Sequence, residues 1–67
     1  MKFQVTIKCD NAAFYDMDGN PCQGYEVAKI LKDLAKKLES VEDVTDFEQV
    51  LFDFNGNYVG KAIVSPE

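Results

Sequence analysis

The Asn55-Gly56 pair constrains the fold more than any other feature of the sequence, because it lies between two runs of β-forming residues. The runs are residues 47–54 and 58–64. Asn and Gly both tolerate positive φ angles, and the two-residue turn that they form matches the twist of antiparallel strands. The sequence therefore predicts a β-hairpin in the C-terminal part of the chain.

Residues 2–9 alternate strictly between apolar and polar side chains, which is typical of a half-buried strand. The apolar set is Phe3, Val5, Ile7 and Cys9, and the polar set is Lys2, Gln4, Thr6 and Lys8. A loop with turn-forming residues then extends from Asp10 to Asn20. The sequence predicts that this first strand buries its apolar set and exposes its polar set.

The residue types after this loop match the start of a helix. Asn20 is a favoured N-cap, Pro21 suits the first helical position, and Gln23 suits a capping box. An apolar stripe with helical spacing follows, formed by Val27, Ile30, Leu31, Leu34 and Leu38. The pattern predicts one amphipathic helix that starts after Asn20 and packs its stripe on a sheet.

These elements predict an α+β fold with the order β-α-β-β and a single small domain over residues 1–67. One helix packs on a three-stranded, mainly antiparallel sheet. If the helix crosses over the sheet with the usual right-handed sense, strand order 1-3-2 makes every pairing antiparallel and is favoured, with 1-2-3 as the alternative. A chain of this length buries only about 60% of the surface of its unfolded form, so a partner would add needed stability.

Charge and composition exclude several functions. The chain has 12 carboxylates, seven lysines and no arginine, for a net charge of −5, which argues against direct contact with nucleic acid. It contains no histidine, so it cannot build a Ser-His-Asp triad or a histidine-bearing zinc site. We therefore expect a protein that is not an enzyme and has no catalytic residue, metal or cofactor.

The N-terminal residues indicate a cytoplasmic protein with no contact to a membrane. Residues 1–6 alternate with polar side chains and do not form the apolar stretch of a signal peptide, and no run is long enough to span a bilayer. Cys9 and Cys22 lack the spacing of a metal or redox motif, and in a reducing compartment we expect both to be thiols.

Residues 16–20 and 53–57 both place Asp or Asn at alternate positions, as the start of an EF-hand calcium loop does. The sixth position is Pro21 in one and Tyr58 in the other, where the calcium loop requires Gly. Both segments are better explained as turns in which a carboxylate accepts hydrogen bonds from nearby backbone amides.

The hairpin is apolar on both of its faces, and one helix covers only one of them. The sequence predicts that Val50, Phe52 and Phe54 share a face opposite Leu51, and that Tyr58 and Ile63 lie on opposite sides of the last strand. A surplus of exposed aromatic surface marks an interface, so we expect a homodimer or docking of a partner through this face or an open strand edge. Our candidate partner-binding residues are Val50, Phe52, Phe54 and Tyr58, with the acidic Glu42, Asp43 and Asp46.

A second hypothesis is a small-ligand or nucleotide-binding module formed at a dimer interface. The first loop and the hairpin tip both concentrate carboxylates, amides and aromatics: Asp10, Asn11, Phe14, Asp53, Asn55 and Asn57. The hypothesis requires both segments to lie at the same end of the sheet. Phe14 also has a competing interpretation, in which it folds back and closes one end of the core.

Three motifs together resemble a widespread family of small uncharacterised proteins encoded by bacteriophages, plasmids and bacterial genomes. They are Cys9–Phe14, the helix segment with Asn20-Pro21 and Glu26–Ala35, and Asp53–Gly60. The chain departs from the family pattern in the long loop over residues 15–24 and in a longer acidic stretch before the hairpin. The family has no established activity, so the resemblance implies no catalytic residue.

The resemblance implies a mobile-element context. Small acidic proteins in that context often bind and block a host protein, such as a CRISPR-type defence nuclease. We therefore expect a non-enzymatic protein-binding module whose partner is a host or phage protein. Its sharpest form is an inhibitor of a host defence or nucleic-acid-binding protein.

Overall fold

The computed structural model describes residues 1–67 and contains one α-helix and one antiparallel sheet. The elements are β1 (Lys2–Ile7), a 3₁₀ turn (Ala12–Phe14), α1 (Gln23–Leu38), β2 (Glu48–Phe52) and β3 (Tyr58–Ser65). The sheet has the order β1-β3-β2, and both pairings are antiparallel. The predicted α+β architecture and the favoured strand order are confirmed.

The start of α1 differs from the prediction. The helix begins at Gln23, and its N-cap is Cys22, which makes no side-chain cap hydrogen bond. The Asn20 amide instead donates to Asp16 Oδ1 at 2.8 Å, and Pro21 forms a β-bridge with Tyr15. The predicted cap at Asn20 is wrong because a tight turn centred on the Asp16 carboxylate holds this segment outside the helix.

The core lies between α1 and one face of the sheet, which we call the covered face. Its buried apolar residues are Ala13, Phe14, Ile30, Leu34, Leu51, Val59 and Ala62. Phe14 is the one large side chain with no exposed surface, so its interpretation as a core residue is confirmed. The 3₁₀ turn delivers this ring to the core, which explains why a connecting loop carries a large aromatic residue.

A β-bulge changes which residues share a face of β3. The register shifts between Leu51 and Phe52, so that Phe52 pairs with Tyr58 while Leu51 pairs with Gly60. The extra residue turns Tyr58 to the side of the sheet on which Ile63 also lies. The prediction that Tyr58 and Ile63 lie on opposite sides is wrong, because simple alternation does not anticipate a bulge.

Phe54 does not lie with Val50 and Phe52, and this part of the prediction is also wrong. It follows the end of β2, where its amide donates to Glu26 Oε2 at 3.0 Å. The Lys29 ammonium lies 5.6 Å from the centre of the Phe54 ring, a cation–π distance. Phe54 therefore stands beside the N-terminal half of α1, although its ring remains exposed.

The hairpin connection is longer than the two-residue turn that Asn55-Gly56 predicts. It spans residues 53–57 and is closed by hydrogen bonds from the Asp53 amide to the Asn57 carbonyl and from the Gly56 amide to the Asp53 carbonyl, both 3.0 Å. Gly56 has φ 84°, whereas Asn55 keeps a negative φ. One residue with a positive φ is enough here, because the change of chain direction is spread over all the residues of the longer loop.

The helix leaves one margin of the sheet bare. α1 packs against β2 and the 3₁₀ turn, so the apolar side chains of β1 stay partly uncovered: Phe3 is 40% and Val5 37% exposed. The chain exposes 4909 Å², against about 4,200 Å² expected for a folded monomer of this mass. Its radius of gyration is 13.2 Å, against about 11 Å for a compact domain of this length. The monomer is therefore more open than a typical small domain.

Candidate protein-binding surface

The side of the sheet opposite α1 carries no covering element, and we call it the open face. Its residues come from all three strands because alternation directs every second side chain to this side. They are Lys2, Gln4, Thr6, Glu48, Val50, Phe52, Tyr58, Lys61, Ile63 and Ser65, with Lys8 just after the end of β1. Between β1 and β3 the open face forms a shallow groove of about 420 Å³.

Two aromatic rings dominate one end of the open face. Phe52 and Tyr58 face each other across the β2–β3 ladder, with ring centroids 6.4 Å apart at an interplanar angle of 73°. Edge-to-face packing of this kind fixes the two rings relative to each other. Phe52 is nevertheless 51% exposed and Tyr58 60% exposed, so each ring offers a large apolar surface to solvent.

The charge of the open face differs from that of the whole chain. Lys8 and Lys61 line its groove, although the chain carries a net charge of −5. The Lys61 ammonium lies 3.8 Å from the Glu48 carboxylate, and both side chains are largely exposed, so this ion pair contributes little to stability. The open face is thus an aromatic and lysine-bearing surface on an acidic protein.

The acidic segment, residues 39–48, occupies the opposite end of β2 from Phe52. The Asp43 carboxylate accepts hydrogen bonds from the Thr45 hydroxyl at 2.6 Å and the Thr45 amide at 2.9 Å. These bonds hold the pKa of Asp43 below its usual range, the hydroxyl having the larger effect. Glu42 and Asp46 are exposed and unpaired. The segment therefore forms a separate, negatively charged surface.

The first loop and the hairpin tip meet at the same end of the sheet, as the ligand-binding hypothesis requires. Asn11 Nδ2 donates to Asp53 Oδ2 at 2.9 Å, and Asn57 Nδ2 donates to the same oxygen at 3.3 Å. Asp53 Oδ1 accepts the amides of Asn55 and Asn57 at 2.9 and 3.0 Å. The buried Asp53 carboxylate is thus fully engaged within the chain.

This arrangement joins the loops rather than opening a pocket. With Phe14 in the core and Asp53 fully hydrogen-bonded, the exposed side chains of Asp10 and Asn55 are the members of the set that make no internal hydrogen bond. Asp10 and Asn11 border a small depression that also touches Lys8 and Tyr58. The side chains of Asn11, Asp53 and Asn57 thus hydrogen-bond one another and join the first loop to the hairpin tip.

Glu26 is a structurally important residue that the sequence reasoning missed. Its buried carboxylate accepts the Phe54 amide and ties the first turn of α1 to the end of β2. An acidic residue in the first turn of a helix suits the helix dipole, and that local explanation hides its long-range bond. Its position on the buried stripe, one turn before Ile30, is the signal that points to a tertiary role.

The chain has no group of three or more Cys, Asp or Glu side chains placed to hold a metal ion. The helix α1 lacks the length and apolar character needed to cross a membrane. Cys9 and Cys22 are half-buried free thiols. No protein-family model matches the chain, and neither the curated proteins nor the solved structures include a significant match.

Proposed function

We propose that the chain is a non-enzymatic protein-binding module that docks a host or phage protein on its open face. The observation that carries the proposal is the Phe52–Tyr58 pair, two rings held in a fixed geometry and left more than half exposed. Aromatic side chains dominate the binding energy of protein interfaces, and a preorganised pair loses little entropy when a partner covers it.

The composition of the open face suits a protein interface. Val50 and Ile63 extend the apolar surface beyond the two rings, and the groove between β1 and β3 continues it. A specific interface buries about 800 Å² on each partner, with apolar anchors at its centre and polar groups around them. Phe52 and Tyr58 supply such anchors, and Gln4 and Thr6 supply polar groups beside them.

The lysines of the open face indicate which kind of partner surface it would bind. Lys8 and Lys61 favour a surface with carboxylates near an apolar patch, and electrostatic complementarity of this kind raises the association rate. The same surface disfavours face-to-face stacking of two copies, because it would bring lysines against lysines. We therefore expect a salt-sensitive complex with a different protein.

The test is quantitative capture from a bacterial lysate by the immobilised chain and its variants. We expect the wild type to retain one stoichiometric protein, which the double variant Phe52→Ser/Tyr58→Ser loses. Tyr25→Ser is the matched control, because Tyr25 is a similarly exposed aromatic on α1, and it should retain the partner. A partner retained equally by the double variant would refute the open face as the docking surface.

A second candidate surface is the acidic segment, which supports the inhibitor form of the proposal. Its exposed Glu42 and Asp46 offer carboxylates to a basic site, such as the nucleic-acid-binding surface of a CRISPR-type defence nuclease. This form draws its support from the net charge of −5 and the mobile-element resemblance. Because the segment lies at the far end of β2, its role is separable from that of the aromatic pair.

The inhibitor form is tested in cells by plasmid interference with an active defence nuclease. We expect expression of the chain to raise plasmid survival and Glu42→Lys/Asp46→Lys to abolish the increase. Glu67→Lys, a charge reversal at the exposed C-terminal residue, is the control that should leave survival unchanged. No rise in survival across the nuclease classes tested would contradict this form while leaving the open-face test unaffected.

A further inference from the structure

The outer edge of the β1 backbone is unpaired except at the Ile7 carbonyl, which accepts a weak hydrogen bond from Cys9 Sγ at 3.7 Å. The Lys8 amide donates to the Val59 carbonyl at 2.7 Å, so at this position the backbone points toward β3. Backbone groups alternate in direction along a strand, so the amides and carbonyls of Phe3, Val5 and Ile7 point away from the sheet. These residues present the donors and acceptors that another strand would need.

The two edges of the sheet are protected differently. Along β2, the register with β3 shifts between Leu51 and Phe52, where Val59 of β3 is the extra residue, and on the outer edge Gln49 Nε2 donates to the Val50 carbonyl at 2.9 Å. On β1, the register with β3 is regular over all six residues, and the strand contains no proline. Bulges, prolines and covering elements are among the devices that prevent edge pairing, and β1 has none of these three. Its lysines stand at the two ends of the edge, with Lys2 at the start of the strand and Lys8 just beyond its end.

Apolar surface accompanies this edge. Phe3 and Val5 project to the helix side of β1, where the Phe47 ring stacks on Phe3 at a centroid distance of 5.9 Å, and both stay more than a third exposed. The chain exposes about 700 Å² more than expected for its mass, close to the roughly 800 Å² that each partner buries in a standard interface. The surplus is of the size that one additional copy would remove.

We propose that β1 pairs with β1 of a second copy, antiparallel across a two-fold axis, to join two three-stranded sheets into one. In the register that we assign, Gln4 lies opposite the partner's Gln4, and Phe3 lies opposite the partner's Val5. The register of the same length that is centred on Val5 sets Lys2 opposite the partner's Lys8, which like-charge repulsion disfavours, and registers centred nearer either end of β1 pair fewer residues. A strand edge of this kind is self-complementary, which suits a second copy as the occupant.

The pairing is independent of the proposed docking function, since the Phe52–Tyr58 pair lies on β2 and β3, away from the dimer axis. It places the two open faces on the same side of one continuous sheet. The dimer therefore presents two copies of the docking surface and gains avidity toward a partner with two sites.

Disulfide trapping tests the register. Gln4→Cys is made in a Cys9→Ala/Cys22→Ala background, so that no native thiol competes. Opposed residues in a non-hydrogen-bonded pair have Cα atoms about 4.5 Å apart, within the range that a disulfide spans. We expect Gln4→Cys to form covalent dimers under mild oxidation and Val5→Cys to form far fewer. Preferential cross-linking of Val5→Cys, or of neither variant, would overturn the proposal.

Sedimentation equilibrium tests the edge itself. We expect the wild type to be dimeric at 100 µM, which requires a dissociation constant on the order of 10 µM or tighter, and Val5→Pro to be monomeric with an unchanged circular dichroism spectrum. The Val5 amide points outward, so the proline removes no bond to β3. Phe52→Ser should remain dimeric. A monomeric wild type, or a dimer lost in Phe52→Ser and retained in Val5→Pro, would refute the edge pairing.

Discussion

The two faces of the sheet use the same strands for different purposes. On β2, Leu51 points to the covered face and is 5% exposed, while its neighbour Val50 points to the open face and is 41% exposed. On β3, Ala62 is buried and Lys61 is exposed. The covered face stabilises the fold by burying apolar surface, whereas the open face keeps its aromatic residues in solvent. The difference shows that only one face of the sheet contributes its hydrophobic residues to folding, and our proposal assigns those of the other face to binding.

The largest effect should follow from breaking the covered face at Phe14. Its ring has no exposed surface, so Phe14→Ala leaves a cavity and should lower the free energy of unfolding by about 3–5 kcal/mol. That loss is comparable with the whole stability of a domain this small. Urea unfolding followed by circular dichroism measures it. Phe52→Ala, the same change on the open face, should cost less than about 1 kcal/mol. Equal losses for the two variants would contradict the difference in stability that we assign to the two faces.

The second-largest loss of stability should follow from substitution of the buried aspartate that accepts backbone hydrogen bonds in the hairpin loop. Asp53 and Asp16 each accept two backbone amides, from the second and fourth residues that follow. Asp53 is buried and Asp16 exposed. Asp53→Asn leaves buried groups unsatisfied and should cost about 1–3 kcal/mol, while Asp16→Asn should cost less than about 0.5 kcal/mol. Urea unfolding curves measure both variants. Equal losses of unfolding free energy would show that burial of the aspartate does not determine the cost of the substitution.

Polar substitution of the open face should cost little stability. Phe52→Ser/Tyr58→Ser removes two exposed rings and their edge-to-face contact, so the free energy of unfolding should fall by no more than about 1.5 kcal/mol. Binding of a hydrophobic fluorescent dye should fall, because the rings form the main exposed apolar patch of this face. A loss of stability above that range would indicate that the open face contributes to folding, and the contrast between the faces would weaken.

The smallest effect lies outside both faces, in the acidic segment. Hydrogen bonds from Thr45, led by its hydroxyl, lower the pKa of Asp43 from its ordinary 3.8. Thr45→Val removes the hydroxyl, so the pKa of Asp43 should rise toward that value. A group whose pKa is lowered by folding stabilises the native state above its unfolded pKa and loses this contribution as the pH falls through the folded pKa. NMR titration below pH 4 measures the change, and an unchanged pKa would contradict the assigned cause.

Residue patterns predicted the elements of the fold because these depend on local periodicity. Alternation in residues 2–9 and the stripe of α1 are visible in the sequence, and antiparallel pairing then favoured the strand order. The bulge at Leu51/Phe52 was not predictable in this way, because it depends on how the strands fit over the core. That one register shift moved Tyr58 onto the open face and assembled the candidate site.

Tertiary hydrogen bonds were the other part that the sequence concealed. The bond between Asn11 and Asp53 joins residues 42 positions apart, and the bond between Glu26 and Phe54 joins residues 28 positions apart. In the sequence, Asn11 and Asp53 are already explained as turn-forming residues, and Glu26 is explained as an acidic residue in the first turn of a helix. The structure brings Asn11, Asp53 and Asn57 of the candidate ligand set together, places Phe14 in the core, and shows the hydrogen bonds that the sequence did not reveal.

The central claim is that one face of the sheet carries the fold and the other is free to bind. The most direct test compares the free energies of unfolding of Leu51→Ala and Val50→Ala, two truncations at neighbouring positions of β2. We predict a loss of about 2–5 kcal/mol for Leu51→Ala and less than about 1 kcal/mol for Val50→Ala. Losses that are equal, or larger for Val50→Ala, would contradict the account.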